Sequence, residues 1–194
     1  MPPTYRSFGN FILFREVAAD ELGHCYRAAE LSRSGVRRTV WLRVFDGGAV
    51  PGADLAERLQ IANRIGETLE AANAVSNPFA FIHEGTVALA WDWMPSQLLS
   101  SVFAKVGEEG FPVPVDNALL IMEKLALALS AALTVEVEGS SLVHGFLHPG
   151  LILISNDGEG LVAGFGLADQ LLGLLDDPAA AAAVQPYLAP EIVN

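Results

Sequence analysis

The segment His144-Gly145-Phe146-Leu147-His148-Pro149-Gly150-Leu151-Ile152-Leu153-Ile154 passes from a loop rich in Gly, Pro and His into an apolar, β-branched run. Residues 151–154 read as a strand. Asn156-Asp157-Gly158 follows as a turn and residues 160–163 as a second strand, which together outline a hairpin. His144 and His148 suggest a metal pair or a general base, but no carboxylate or cysteine lies near them in sequence to complete a metal site.

Upstream of this hairpin the pattern divides in two. Residues 8–31 read as two short strands joined near 18–23, and residues 40–45 as a third, closed by the turn Asp46-Gly47-Gly48. Between 53 and 74, Leu55, Leu59, Ile61, Ile65 and Leu69 recur at helical intervals, with Asp54 a candidate N-cap. Asn77-Pro78 breaks that helix, and residues 79–82 and 86–93 read as two further strands around Glu84-Gly85. After Pro95 the pattern turns helical, with a short helix over 98–106, a turn through 107–114, and a long helix from Asp116 that stops by Gly139. Asp176-Asp177-Pro178 starts a last helix through the Ala179 to Ala183 run.

Composition narrows the function. A chain of 194 residues suits one globular or two-lobed unit. At 52% hydrophobic and 18% charged it is too apolar for disorder and slightly apolar for a free-standing domain, so cover by a partner is expected. The net charge is −12 and the only lysines are Lys105 and Lys124, which leaves no basic footprint for nucleic acid or an anionic membrane. The apolar stretch 118–137 contains Glu123, Lys124 and Glu136, costly in lipid, so a buried amphipathic helix is expected there and not a membrane span. The lone Cys25 cannot form an internal disulfide and no signal segment opens the chain, which points to the cytoplasm.

In order along the chain, these features resemble a protein kinase. The opening segment matches the H-R-D-L-K-P-x-N-I-L loop and strand, Gly164-Phe165-Gly166-Leu167-Ala168 stands where a kinase carries D-F-G-L-A, and Tyr187-Leu188-Ala189-Pro190-Glu191 resembles Y-x-A-P-E. Val40-Trp41-Leu42-Arg43 fits the V-A-I-K strand, Asn77-Pro78 the His-Pro after the regulatory helix, and Trp91-Asp92-Trp93-Met94 the gatekeeper and hinge. The resemblance, to bacterial Ser/Thr kinase domains, covers nearly the whole chain. It implies an α+β, protein kinase-like fold: a five-stranded N-lobe sheet with one helix over residues 1–95, and a shortened, mainly helical C-lobe over 96–194.

On that resemblance the substitutions fall on the catalytic positions. The catalytic Asp is replaced by Phe146, which can neither accept a proton nor orient a nucleophile. The two magnesium-ligand positions are Leu151 and Gly164, neither with a side-chain oxygen. Arg43 replaces the phosphate-binding Lys, a planar fork in place of a point charge. The Gly-rich loop becomes Ala18, Asp20 and Gly23, and Asp20 would bring negative charge towards phosphate oxygens. The helix Glu falls near Thr68, with Glu67 and Glu70 one or two residues away.

The H-R-D Arg is Gly145, and no Ser, Thr or Tyr lies between Leu167 and Pro186, so donor and acceptor of a phospho-switch are both missing. His144 and His148 are expected to be structural hydrogen-bonders, Cys25 a small buried hydrophobe, and the three tryptophans core residues, with Trp91 narrowing the nucleotide cleft. The chain ends at Asn194, where a kinase continues with several helices, so it is either a piece of a longer protein or a shortened domain. Its exposed lower face would then be covered by another subunit or domain.

The expectation is therefore a catalytically inactive pseudokinase, with no cofactor and no metal, acting as a protein-binding scaffold or regulatory module in signalling. Its partner would be another protein, a further domain or a second copy. An atypical nucleotide-binding enzyme using Arg43, or a module binding a small molecule in the old cleft, are the alternatives.

Overall fold

Two long runs of β-branched, aromatic and alanine residues, each ended by a residue pair and a glycine at positive φ, give the N-terminal part its meander. The computed structural model describes residues 6–46, 55–69, 71–137, 139–168 and 178–190. Strands β1 (Arg6–Phe8), β2 (Phe11–Asp20), β3 (Gly23–Ser32) and β4 (Gly35–Phe45) follow one another, then helix α1 (Leu55–Thr68), β5 (Phe79–His83) and β6 (Thr86–Asp92). They form an antiparallel sheet in the order β1-β2-β3-β4-β6-β5. The five expected strands are all present, β6 ending one residue earlier than expected at Asp92, and a sixth, β1, pairs on the edge through Phe8 and Phe11. Gly23 has φ +114°, and a side chain there would run into the backbone of Val44 and Asp46, so the β2–β3 turn admits glycine alone.

Helix α1 lies against the sheet through Leu59, Ala62 and Ile65, which are buried. The Asn63 amide clamps it to β5, accepting from the Ala80 N–H at 2.7 Å and donating to the Ala80 carbonyl at 2.9 Å. It ends at Thr68, before the expected Ala74, where the Thr68 hydroxyl donates to the Arg64 and Ile65 carbonyls of the last turn. Asp54, Gly47 and Gly48 fall outside the described residues.

The second part opens with β7 (Ser96–Leu98), α2 (Leu99–Glu109) and α3 (Val115–Ala132). Helix α2 runs past Gly107 because its left-handed stop falls on Gly110, whose N–H returns to the Val106 carbonyl. The small hairpin β8 (Glu136–Val137) and β9 (Ser140–Ser141) leads to a 3-10 turn, Pro149–Leu151, then β10 (Ile152–Ser155) and β11 (Gly160–Val162). The expected hairpin is β10–β11, and β7 joins it as a third strand. Helix α4 (Pro178–Val184) follows its proline start signal.

The two parts share one core. Leu22, Cys25, Trp41 and Trp91 from the sheet pack in the same buried cluster as Leu98, Phe146, Leu151 and Leu153. The 73–75 loop ties them further, with the Val75 N–H donating to the Val162 carbonyl and the Val162 N–H to that of Asn73. Among the described residues, no helix is long and apolar enough to cross a membrane.

Candidate functional site

Arg43 lies in β4 opposite Cys25 of β3 and Leu89 of β6, so its side chain projects from the centre of the sheet towards the 3-10 turn. It is fully buried. Its guanidinium forks onto Asp20, with Nη1 donating to Oδ1 at 2.7 Å and Nη2 to Oδ2 at 3.0 Å. The same two nitrogens donate to the carbonyls of Gly23 at 3.0 Å and Gly150 at 2.8 Å.

Asp20, the last residue of β2, receives two more donors: the Leu22 N–H at 3.1 Å and the Ser100 hydroxyl of α2 at 2.8 Å. Burial raises its pKa, but the Arg43 charge and these hydrogen bonds outweigh burial and hold it below the ordinary carboxylate value. A side chain on Gly150 would start 2.5 Å from the Asp20 carboxylate and 3.0 Å from Arg43 Nη2, so the 3-10 turn approaches this pair as only glycine permits.

The carboxylate partner of Arg43 thus comes from the Gly-rich-loop position and not from helix α1. Glu67 and Thr68 are exposed, and Glu70 falls outside the described residues. Sequence reading placed Asp20 beside the phosphates without pairing it with Arg43. The legible signal was a reciprocal change: an acid in the loop and, two strands away in the same sheet, an Arg able to meet it with two parallel hydrogen bonds.

Three indole rings cluster towards the 93–98 segment, beside an open cavity lined by Val17, Trp41, Trp93 and Leu98. Trp41 is buried and its Nε1–H donates to the carbonyl of Met94, the hinge position, at 3.2 Å. It stacks on Trp93 at 4.6 Å between ring centroids and lies near-parallel to Trp91 at 6.4 Å. The Arg27 guanidinium covers the Trp93 ring at 4.7 Å. A buried indole removes roughly 150–250 Å² from water, about 4–6 kcal/mol at ~25 cal/mol per Å². Cys25 is buried in the same cluster, and burial pushes its thiol up to about 12, so it is a packed hydrophobe and not a nucleophile.

Of the three other substituted positions, Leu151 and Gly164 meet, and Phe146 is buried in the same core cluster as Leu151. Phe146 is 1% exposed, and its backbone bridges to Leu188. Gly164 has φ +90°, and a Cβ there would lie 3.0 Å from Leu151 Cδ1. The Leu151 side chain therefore occupies the room a side chain at Gly164 would need. Among the described residues no group of three His, Cys, Asp or Glu side chains could hold a metal ion.

His144 Nε2 donates to the Ala163 carbonyl at 2.9 Å while Nδ1 accepts the Phe146 N–H, which fixes a neutral ring. Burial lowers its pKa to about 4. His148 Nδ1 accepts the Gly150 N–H at 2.9 Å and its ring meets Tyr187 edge-on. Both histidines hold the loop in shape. That loop in turn receives the 187–189 segment: the Leu147 N–H donates to the Tyr187 carbonyl and the Ala189 N–H to that of Gly145. Glu191 falls outside the described residues.

No family model matches the chain. Among curated proteins, a dual specificity mitogen-activated protein kinase kinase 1 of Dictyostelium discoideum is 28% identical over 115 residues, 59% of this chain and 16% of that protein. Solved structures match over far more of the chain. The kinase domain of Mycobacterium tuberculosis PknI superposes with a TM-score of 0.63 at 18% identity, covering 97% of this chain and 76% of that one. A double mutant of the same domain gives 0.65 at 18%, covering 97% and 79%. With the strand order, the loop-and-hairpin and the closing 187–189 segment all in kinase sequence, the chain has a protein kinase-like α+β fold.

Proposed function

We propose that this chain is a catalytically silent kinase-like module of bacterial signalling type, which acts through protein contacts as a scaffold or regulator. The observation that carries the reading is the Arg43–Asp20 pair. The one buried cation at the phosphate-binding position is already neutralised by a carboxylate of the chain itself.

A magnesium nucleotide does not fit the residues present. A phosphate would have to displace Asp20 from Arg43 and enter beside a second negative charge. Leu151 and Gly164 offer a hard cation no side-chain oxygen, and Trp41 already takes the Met94 carbonyl. Phe146 cannot act as a base.

The test is a thermal-shift titration of the whole chain with ATP, with and without magnesium, beside a phosphotransfer assay on a generic protein substrate. A ligand at 100 times its Kd adds about 2.7 kcal/mol to stability, a rise of several degrees. The proposal predicts no such rise at millimolar ATP and no transfer; either one would refute it.

A further inference from the structure

Arg15 of β2 and Arg27 of β3 stand directly opposite each other in the sheet, and Arg27 in turn faces Trp41 of β4. Like charges in register repel. Both side chains are exposed, and among the described residues neither is paired with a carboxylate, although the chain has 23 acidic residues against 11 basic ones. Alternate residues of a strand share a face, so Arg43 projects from the same side of the sheet as Trp41. Of the three arginines on this face, Arg43 has its carboxylate in Asp20, and Arg15 and Arg27 have none.

The unpaired arginines stand at the open cavity beside the indoles. Arg15 lines it, and Arg27 lies over the Trp93 ring at 4.7 Å. The cavity has a volume of about 410 Å³, the size of a small-molecule site. Its apolar wall is built by Val17, Trp41, Trp93 and Leu98. Gln97 and Ser101 add an amide and a hydroxyl, and among the described residues neither side chain makes a hydrogen bond within the chain. None of the walls comes from α3 or from the 186–190 segment.

An apolar wall of indole faces beside two uncompensated guanidiniums fits a flat ring that carries a negative charge. Each guanidinium can fork onto a carboxylate oxygen pair, and a shared anion turns their mutual repulsion into attraction. The net charge of −12 disfavours anions in general, so one that binds is held locally. We propose that this cavity binds a planar aromatic anion, with its ring against Val17 and Trp93 and its charge between Arg15 and Arg27. The site is independent of the Arg43–Asp20 pair, and the inference does not rest on the loss of catalysis.

Calorimetric titration of the whole chain with naphthalene-2-carboxylate, beside the uncharged naphthalene-2-carboxamide, tests it. The carboxylate is expected to bind with a Kd below about 1 mM and at least tenfold more tightly than the carboxamide. Arg15→Gln and Arg27→Gln should each weaken the carboxylate at least fivefold and leave the carboxamide unchanged, whereas Trp93→Leu should weaken both ligands. Without ligand, Arg15→Gln should not lower Tm, because it removes a repulsion between exposed groups. No carboxylate binding, equal affinity for the two probes, or carboxylate binding indifferent to both arginine substitutions overturns the proposal. A fall in Tm of more than about 2 °C for Arg15→Gln would also overturn it, since the arginine would then serve the fold. ATP stabilisation bears instead on the reading of catalytic silence, so the two failures are distinguishable.

Discussion

Replacing Asp20 with asparagine keeps the size of the side chain and removes its charge, which makes it a clean perturbation of the cleft. Arg43 would then be a fully buried guanidinium without a counter-charge, still tied to the carbonyls of Gly23 and Gly150. Removing one partner of a buried pair costs about 3–5 kcal/mol. For a chain of this size each kcal/mol moves Tm by about 2–4 °C, so Asp20→Asn should lower Tm by roughly 6–20 °C. Asp20→Leu combined with Arg43→Met removes both charges, and apolar replacement of a whole buried pair is often neutral. The double variant should therefore be more stable than Asp20→Asn.

The pH dependence carries a sign. The folded pKa of Asp20 lies below its unfolded value, so its contribution is present above about pH 4 and is lost as pH falls through the folded pKa. Wild type should lose this increment on acidification and Asp20→Asn should not. Urea or thermal denaturation across pH 2–7 reads both effects. A Tm shift under about 2 °C for Asp20→Asn, or a double variant with the summed cost of the singles, would refute the account of the pair.

Gly164→Asp should destabilise the fold by about 1–3 kcal/mol, because the residue sits at φ +90° and its Cβ would press on Leu151. Adding Leu151→Asn should recover part of that loss in the same denaturation assay, and neither variant should gain ATP stabilisation while Asp20 holds Arg43. His144 is neutral in the fold with a pKa of about 4, below its unfolded value, so it contributes stability above about pH 6.5 that is lost as pH falls towards 4. His144→Gln should flatten the stability profile over that window, as followed by urea midpoints.

The sequence carried the fold because three landmarks at kinase spacing each coincide with a local physical signal. The hairpin after Pro149 has its own turn, the β4 strand its β-branched run, and α1 its helical period. What it did not carry was the geometry of Asp20, since two residues 23 apart meet only once β2, β3 and β4 are in register. Kinase spacing points instead to α1 for the partner of Arg43, near Thr68. Edge strand β1 was missed because three residues are too short for a periodic signal. The coupling of Leu151 to Gly164 was likewise hidden: each reads as a lost oxygen, and only the backbone φ and the Cβ approach reveal that one side chain fills the other's room.

The central claim is that the chain's own Asp20 holds the cation at the phosphate-binding position, and titration calorimetry of the whole chain with magnesium ATP tests it most directly. The account predicts no saturable heat, meaning a Kd weaker than about 1 mM, a binding free energy smaller than about 4 kcal/mol. A saturable heat with micromolar affinity, lost on Arg43→Met, would contradict it.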